Sequence, residues 1–487
     1  MLFNSLNFLL FFIGLCIIYY ATPHRLKWII MLVASIGFYM CFNPLHVAVL
    51  LVVTAISYLT GLGVYNNDKK KAKKIILVAG VALSFLFLLL GKYADFFMQN
   101  IYILLDMLKI PYSVSNLFFI LPVGISFFTF KAVSYIVDAY RGKIVEKNFF
   151  KYLLYISFFP QIASGPIERS TNLIPQFSEE HKFAPKMVES GLCLMLVGFF
   201  KKMVVADNIS GVVSKVFDNA DMYSPLVLFG IACVYSLQIF CDFSGYSDIA
   251  IGCTRVLGIK TTPNFDNPYF AKSIVEFWRK WHISLSSWFK DYLYIPLGGN
   301  RKGKARKFVN LMVVFLVSGL WHGSSWNFIF WGFLHGLYQI IGALTLNIRK
   351  NFCKFIHIDR NEKLHNLIRV VITFLLVTFA WIFFKAESIY DGFNYIRCML
   401  FNSFDALNLR TIIASVKMLF QYKTTLISFV ISIGSFIPFM IVDYKKDFCK
   451  YMSERHTITK IILYALLISF IVIFASTDVA DFIYIRF

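Results

Sequence analysis

Few side chains in this chain can move a proton at neutral pH, and the histidines, nine in 487 residues, come first among them. His322 lies in Val-Ser-Gly-Leu-Trp-His-Gly-Ser-Ser-Trp-Asn, from Val317 to Asn327, with about a dozen largely apolar residues leading in from Asn310. At 1.5 Å of rise per residue, twelve residues carry a helix about 18 Å into a hydrocarbon layer about 30 Å thick, so the imidazole is expected near mid-membrane. Removing an ionisable group from water at that depth is costly and must be offset by a partner or by chemistry. Trp321, Gly323, Ser324, Ser325 and Trp326 describe a narrowed, partly polar cavity rather than a lipid-facing surface, and His335 follows thirteen residues later. A satisfied structural histidine is the competing reading.

Three further clusters concentrate polarity between about 158 and 335. Glu276 to Tyr292 reads as an amphipathic helix with Trp278, Trp281, Leu285, Trp288 and Phe289 on one face, while Arg279, Lys280 and Lys290 reach headgroups. It sets His282 against an aromatic wall beside cations. The following Leu297-Gly298-Gly299-Asn300-Arg301-Lys302-Gly303-Lys304 resembles a flexible basic loop suited to phosphates. Asp242 and Asp248 stand six residues apart in an apolar stretch. That spacing does not stack them on one helical face, so structural bracing by a lysine, an arginine or a backbone turn is the favoured reading over acid–base work. Phe158 to Arg169 places two prolines and a glycine at the end of an apolar run and breaks any helix there. Such backbone is either buried in protein or a loop at the membrane surface.

The elements that must position these groups are membrane helices. Hydrophobic residues make up 58% and charged residues 15%, and mean hydropathy is +0.66, well outside the soluble range of about 45–50% apolar and 25% charged. Apolar stretches of spanning length recur near 6–22, 28–42, 45–65, 75–97, 117–137, 150–165, 187–205, 225–241, 309–330, 328–346, 367–384, 425–442 and 459–475. The expected fold is all-α and polytopic, with about 11–13 transmembrane helices plus re-entrant and interfacial amphipathic helices. No long soluble stretch interrupts it, so 1–487 reads as one membrane-embedded domain: N-terminal spans over 1–115, a catalytic core over 116–345 and C-terminal spans over 346–487.

The net charge of +21 sits in short loops such as His24 to Lys27, Lys69 to Lys74, Arg301 to Lys307, Arg349 to Lys363 and Lys445 to Lys450. This is the positive-inside pattern, with the N-terminus outside and Asn43-Pro44 an outer turn. No basic stripe is interleaved with base-stacking aromatics, so nucleic acid is not an expected partner. The first segment lacks a basic flank and a small-residue cleavage site and is expected to remain as a span. The nine cysteines show no paired C-x-x-C spacing, so neither a disulfide framework nor a zinc site is expected, and no metal is assigned. There is no P-loop, dinucleotide fingerprint or G-x-S-x-G elbow. Nor is there a visible inverted repeat of the kind found in transporters.

The blocks Leu121 to Phe130, Pro160 to Glu168, Cys241 to Asp248, Trp278 to Asn300 and Gly319-Leu320-Trp321-His322-Gly323 together resemble the membrane-bound O-acyltransferases. Within them the likeness is to the bacterial polysaccharide O-acetylases, typified by alginate and peptidoglycan O-acetylases. The closing Asp481 to Phe487 also looks like the family's ending, with Arg486 in place of a neutral polar residue. The resemblance implies transfer of an acetyl group from cytoplasmic acetyl-CoA across a bacterial inner membrane to hydroxyls of an extracytoplasmic polysaccharide. Transfer is either direct or through a separate secreted or membrane-anchored acetyltransferase partner. His322 matches the family's most characteristic histidine and is expected to act as general base, with His282 in a supporting position. Elementary chemistry agrees: a hydroxyl is a poor nucleophile until a neutral imidazole takes its proton. Trp321, Ser324, Ser325 and Asn327 are candidate donors to the oxyanion. Arg301, Lys302, Lys304 and Arg306 are candidates for the CoA phosphates on charge alone. A transporter or flippase for a lipid-linked saccharide is the alternative, and the identity of the glycan is left open.

Overall fold

A computed structural model describes residues 1–112, 121–401, 408–476 and 482. Of the closing block only Phe482 is therefore described; the rest of it, Arg486 included, lies outside the described residues, as does part of the apolar stretch 117–137. Among the described residues every regular element is helical, as the periodicity requires. In chain order the α-helices are α1 (Leu6–Ala21), α2 (His24–Met40), α3 (Pro44–Tyr65), α4 (Lys70–Leu88), α5 (Ala94–Met107), α6 (Ile125–Tyr140), α7 (Phe149–Ser157), α8 (Ser170–Gln176), α9 (Pro185–Phe199), α10 (Asp207–Phe217) and α11 (Pro225–Val256). There follow α12 (Ile274–Lys280), α13 (Ile283–Phe289), α14 (Gly303–His322), α15 (Trp326–Leu344), α16 (Leu346–Phe355), α17 (Glu362–Lys385), α18 (Ile389–Phe401), α19 (Leu409–Leu419), α20 (Lys423–Lys446), α21 (Phe448–Ser453) and α22 (Thr457–Phe474). The described residues form two compact units, one built from Met1–Met195 and Ile249–Thr262, the other from Leu196–Asp248 and the chain from Pro263 onward.

Local chemistry sets many of the boundaries. Asn43 caps α3 by accepting from the Leu45 amide, and Pro44 follows at the first helical position, where its missing N–H costs nothing. Before α12, the Ser273 hydroxyl accepts from the Glu276 amide while the Glu276 carboxylate accepts from the Lys272 amide. That reciprocal pair is a capping box shifted by one residue at its second donor. Along α20 and α22 many large apolar side chains face outward, as Val430 at 57% and Val472 at 74% exposure illustrate. An apolar helix exposed to this degree is at home in lipid, not in water.

Among the described residues six helices are long and apolar enough to cross a membrane: α3, the continuous stretch Lys70–Met107, α11, α17, α20 and α22. The pair α15 and α16, bent by 61°, makes a seventh if it counts as one span. Other stretches that read as spans form shorter helices, including α1 at 16 residues, α6 at 16 and α7 at 9. Apolar composition continues there, but the helix is cut by proline, glycine or a turn. The protein is multi-pass all the same.

The block Pro160 to Glu168 is buried in protein and is not a loop at the surface. Glu168 is held from within the same unit: the Tyr155 hydroxyl donates to its carbonyl at 3.0 Å, Asn172 Nδ2 donates to its carboxylate at 2.7 Å, and the Thr262 amide donates to the same carboxylate. Lys131 Nζ donates to Gln161 Oε1 at 3.4 Å and lies 4.6 Å from the Tyr155 ring centre. Irregular backbone persists in an apolar protein only with such internal partners.

Candidate active site

The hairpin of α14 and α15 carries the first histidine. A Cβ at Gly319 would run into the Phe328 carbonyl, and one at Gly332 into that of Phe315. Only hydrogen at these positions lets the two backbones close, as small residues do between membrane helices generally. His322 is the last residue of α14, with Gly323 as its C-cap, and is 2% exposed. Its ring is boxed by Trp321, Trp331 and Phe384 at centroid distances of 4.9, 5.0 and 5.3 Å. The imidazole thus sits where the helix stops, against three aromatic rings.

His282 is expected to lie on a continuous amphipathic helix from Glu276 to Tyr292, but the chain breaks there. Trp281 ends α12, His282 takes a left-handed conformation at φ 45°, and α13 starts at Ile283. Trp281, Leu285, Trp288 and Phe289 are then buried in protein rather than spread along headgroups, because the break folds α13 back onto its neighbours. The His282 imidazole is fully buried; its Nδ1 is 3.0 Å from Asn264 Oδ1, and its ring packs edge-on against Phe243 at 4.6 Å. It lies between the short helices, outside the spanning segments, and burial pushes it down from the ordinary imidazole value to about 3, so it is neutral at physiological pH. Trp321 links the two histidines, its ring 6.2 Å from that of His282 and 4.9 Å from that of His322.

His335 joins the same aromatic cluster. Trp278 Nε1 donates to its Nδ1 at 3.2 Å, and Trp331 stands 5.0 Å from both His335 and His322.

Residues 31–386 match the membrane-bound O-acyltransferase family. The chain belongs to that family. It is 35% identical over 393 residues to a probable alginate O-acetylase of Azotobacter vinelandii, covering 80% of this chain and 76% of that protein. It is 32% identical over 400 residues to a peptidoglycan O-acetyltransferase of Helicobacter pylori, covering 77% and 73%. A teichoic acid D-alanyltransferase of Bacillus subtilis is 29% identical over 284 residues, 54% of this chain and 69% of that one. The protein is an O-acyltransferase embedded in a membrane.

For an O-acyltransferase the remaining site candidates differ in what they are free to do. Trp321 is buried between the two histidines, and Ser324 and Ser325 are half-buried in the turn that follows His322. Asn327 spends its amide on the carbonyls of Phe383 at 3.2 Å and Ala386 at 2.7 Å, so it clamps the turn to the end of α17 and has no hydrogen left for an oxyanion. Arg301 and Lys302 are exposed in a turn, as expected of a basic loop, but Lys304 and Arg306 belong to the first turns of α14. That turn is anchored rather than loose: Gly298 holds φ 106°, which favours glycine, and Asn310 Nδ2 donates to the Gly299 carbonyl at 3.0 Å. Four exposed cations at a helix N-terminus, itself partly positive, make a concentrated field for an anion.

A cavity of about 200 Å³ is lined by Trp278, Leu285, Phe289, Lys290, Phe315 and Ser318 among others. Ser318 is one helical turn before His322 on α14, and Trp278 is the partner of His335. Asp242 and Asp248 are braces: Lys202 Nζ lies 2.7 Å from Asp242 and 2.8 Å from Asp207, and Lys201 Nζ lies 2.7 Å from Asp248. Both lysines come from the π-helical turn Phe200–Ala206, a widened turn that aims neighbouring side chains inward. Neither those lysines nor Asn264 is singled out by the sequence, because Phe-Lys-Lys-Met and Pro-Asn-Phe carry no motif of their own.

Proposed function

We propose that this O-acyltransferase moves an acetyl group from acetyl-CoA, supplied on the cytoplasmic side of a bacterial inner membrane, to hydroxyls of an extracytoplasmic polysaccharide. The protein would be oriented with its N-terminus outside, and delivery runs directly to the sugar or through a separate secreted or membrane-anchored acetyltransferase. The observation that carries this reading is the setting of His322: a buried imidazole at the end of a helix, boxed by aromatic rings, with a second buried histidine across Trp321. The names of the relatives, acetylases of alginate and peptidoglycan, support the acetyl group and the glycan.

In this reading His322 is the general base. The acceptor oxygen attacks the thioester carbonyl as its proton passes to the His322 imidazole; the C–S bond then breaks, and the imidazolium returns the proton to the leaving thiolate, releasing CoA as the thiol. Trp321, Ser324 and Ser325 are the candidates to donate to the oxyanion, and His282 supports the reacting hydroxyl. The CoA phosphates meet Arg301, Lys302, Lys304 and Arg306, and the mainly apolar cavity beside Ser318, one turn before His322, takes the thin pantetheine arm.

The test is CoA-thiol release from acetyl-CoA by the purified protein in lipid nanodiscs, with and without a glycan acceptor. Turnover in the wild type and its loss in His322→Ala support the reading. Transport of a lipid-linked saccharide without thioester loss would replace it with a flippase.

A further inference from the structure

His282 pays for an unusual backbone conformation, and Asn264 is what holds it there. A non-glycine residue at φ 45° is uncommon, and such strain persists only where the surroundings over-determine it. Asn264 grips the three residues of the break together. Its main-chain carbonyl accepts from the Ile283 amide at 2.9 Å. Its side-chain oxygen accepts from the Ser284 amide at 3.3 Å and from the Ser284 hydroxyl at 2.9 Å, and it stands 3.0 Å from His282 Nδ1. Its side-chain nitrogen donates to the Ser247 hydroxyl at 3.0 Å. Asn264, Ser247, His282 and Ser284 are all buried, at 1, 0, 0 and 2% exposure.

These bonds settle which way the Asn264 amide faces. A backbone N–H can only donate, so the atom that the Ser284 amide approaches must be the oxygen. An oxygen is also then what faces His282, and an amide oxygen cannot donate. The hydrogen between them belongs to Nδ1. A neutral imidazole carries one N–H, so Nε2 carries the lone pair.

We infer that Asn264 is a positioning residue for acyl transfer: it fixes His282 as the Nδ1–H tautomer and presents Nε2 as a hydrogen-bond acceptor for the reacting hydroxyl. The inference rests on the acyl-transfer reading for its consequence, but not for its geometry. A side chain that merely braced the break would serve as well with either tautomer; this one dictates the tautomer.

The experiment uses full-length protein labelled with ¹⁵N-histidine in lipid bilayers. Solid-state ¹⁵N NMR reads which ring nitrogen carries the proton, and the His282 signals are identified by their loss in His282→Gln. Wild type is expected to show His282 protonated on Nδ1 without any substrate present. Asn264→Asp keeps an acceptor oxygen and is expected to keep that tautomer. Asn264→Leu removes the acceptor and is expected to lose it, with acetyl-CoA turnover down about 10²-fold at saturating donor and the KM for donor unchanged. Turnover in Asn264→Asp is expected well above that of Asn264→Leu.

Protonation of wild-type His282 on Nε2 would overturn the assignment, a measurement that needs no variant to fold. So would wild-type turnover in Asn264→Leu, or equal losses in the two variants. Failure of the wild type to release CoA would remove the acyl-transfer reading and leave the tautomer measurement standing.

Discussion

Two groups of buried polar residues in this O-acyltransferase solve the same solvation problem in opposite ways. Around the π-helical turn, Lys202 is held between Asp242 and Asp207, and Lys201 faces Asp248; charge is answered by charge. Around the end of α14, His322, His282 and His335 meet aromatic rings, an amide oxygen and an indole N–H. A buried ion pair is a poor acid or base, because each partner stabilises the other's charged state. A neutral imidazole keeps a lone pair that can take a proton. Depth alone therefore does not mark a catalytic residue; the chemistry of its neighbours does.

The largest effect that would break this contrast is at His322. We expect His322→Ala to lower CoA release by about 10³–10⁴-fold, with a size-exclusion profile and thermal midpoint close to wild type. A near-wild-type rate would place the histidines among the structural residues. Next comes Lys202→Met, which strands two carboxylates: a loss of about 3–5 kcal/mol of stability is expected, read as a large fall in the midpoint of thermal unfolding in detergent. If that variant were stable but inactive, the lysine knot would belong to the chemistry and the contrast would be wrong.

His282→Ala is expected to reduce turnover about 10²-fold, less than His322→Ala, and the reverse order would exchange their roles. The smallest effect belongs to the basic turn. Replacing Arg301 and Lys302 by glutamine should raise the KM for acetyl-CoA a few-fold, corresponding to about 0.3–1 kcal/mol per exposed charge, and flatten its dependence on salt. An unchanged KM and salt slope would move the phosphate contact elsewhere.

Much of this was legible in the residues themselves. The Trp-His-Gly at the end of an apolar run marked His322, and the spacing of Asp242 and Asp248 argued for bracing, though it could not name the lysines. Less legible was the run from Glu276 to Tyr292. Its three-and-four periodicity is genuine, yet the helix breaks at His282, because the bonds from Asn264 to Ile283 and Ser284 outweigh local propensity. Asn327 looked like a donor to the reaction and is instead held by two carbonyls that lie more than fifty residues away along the chain.

By itself the sequence determined what depends on composition and on neighbours along the chain. The excess of apolar residues required a bilayer, the 3.6-residue pattern required helices, and long motif blocks carried the family. Tertiary structure alone decided which polar groups face one another: that Lys201 and Lys202 meet the aspartates, that Trp321 stands between His282 and His322, and that an asparagine eighteen residues upstream dictates where the His282 proton sits. Pairings of that kind are made across space by side chains whose partners the chain does not list in order, and the proton position of an imidazole is set wholly by such a partner.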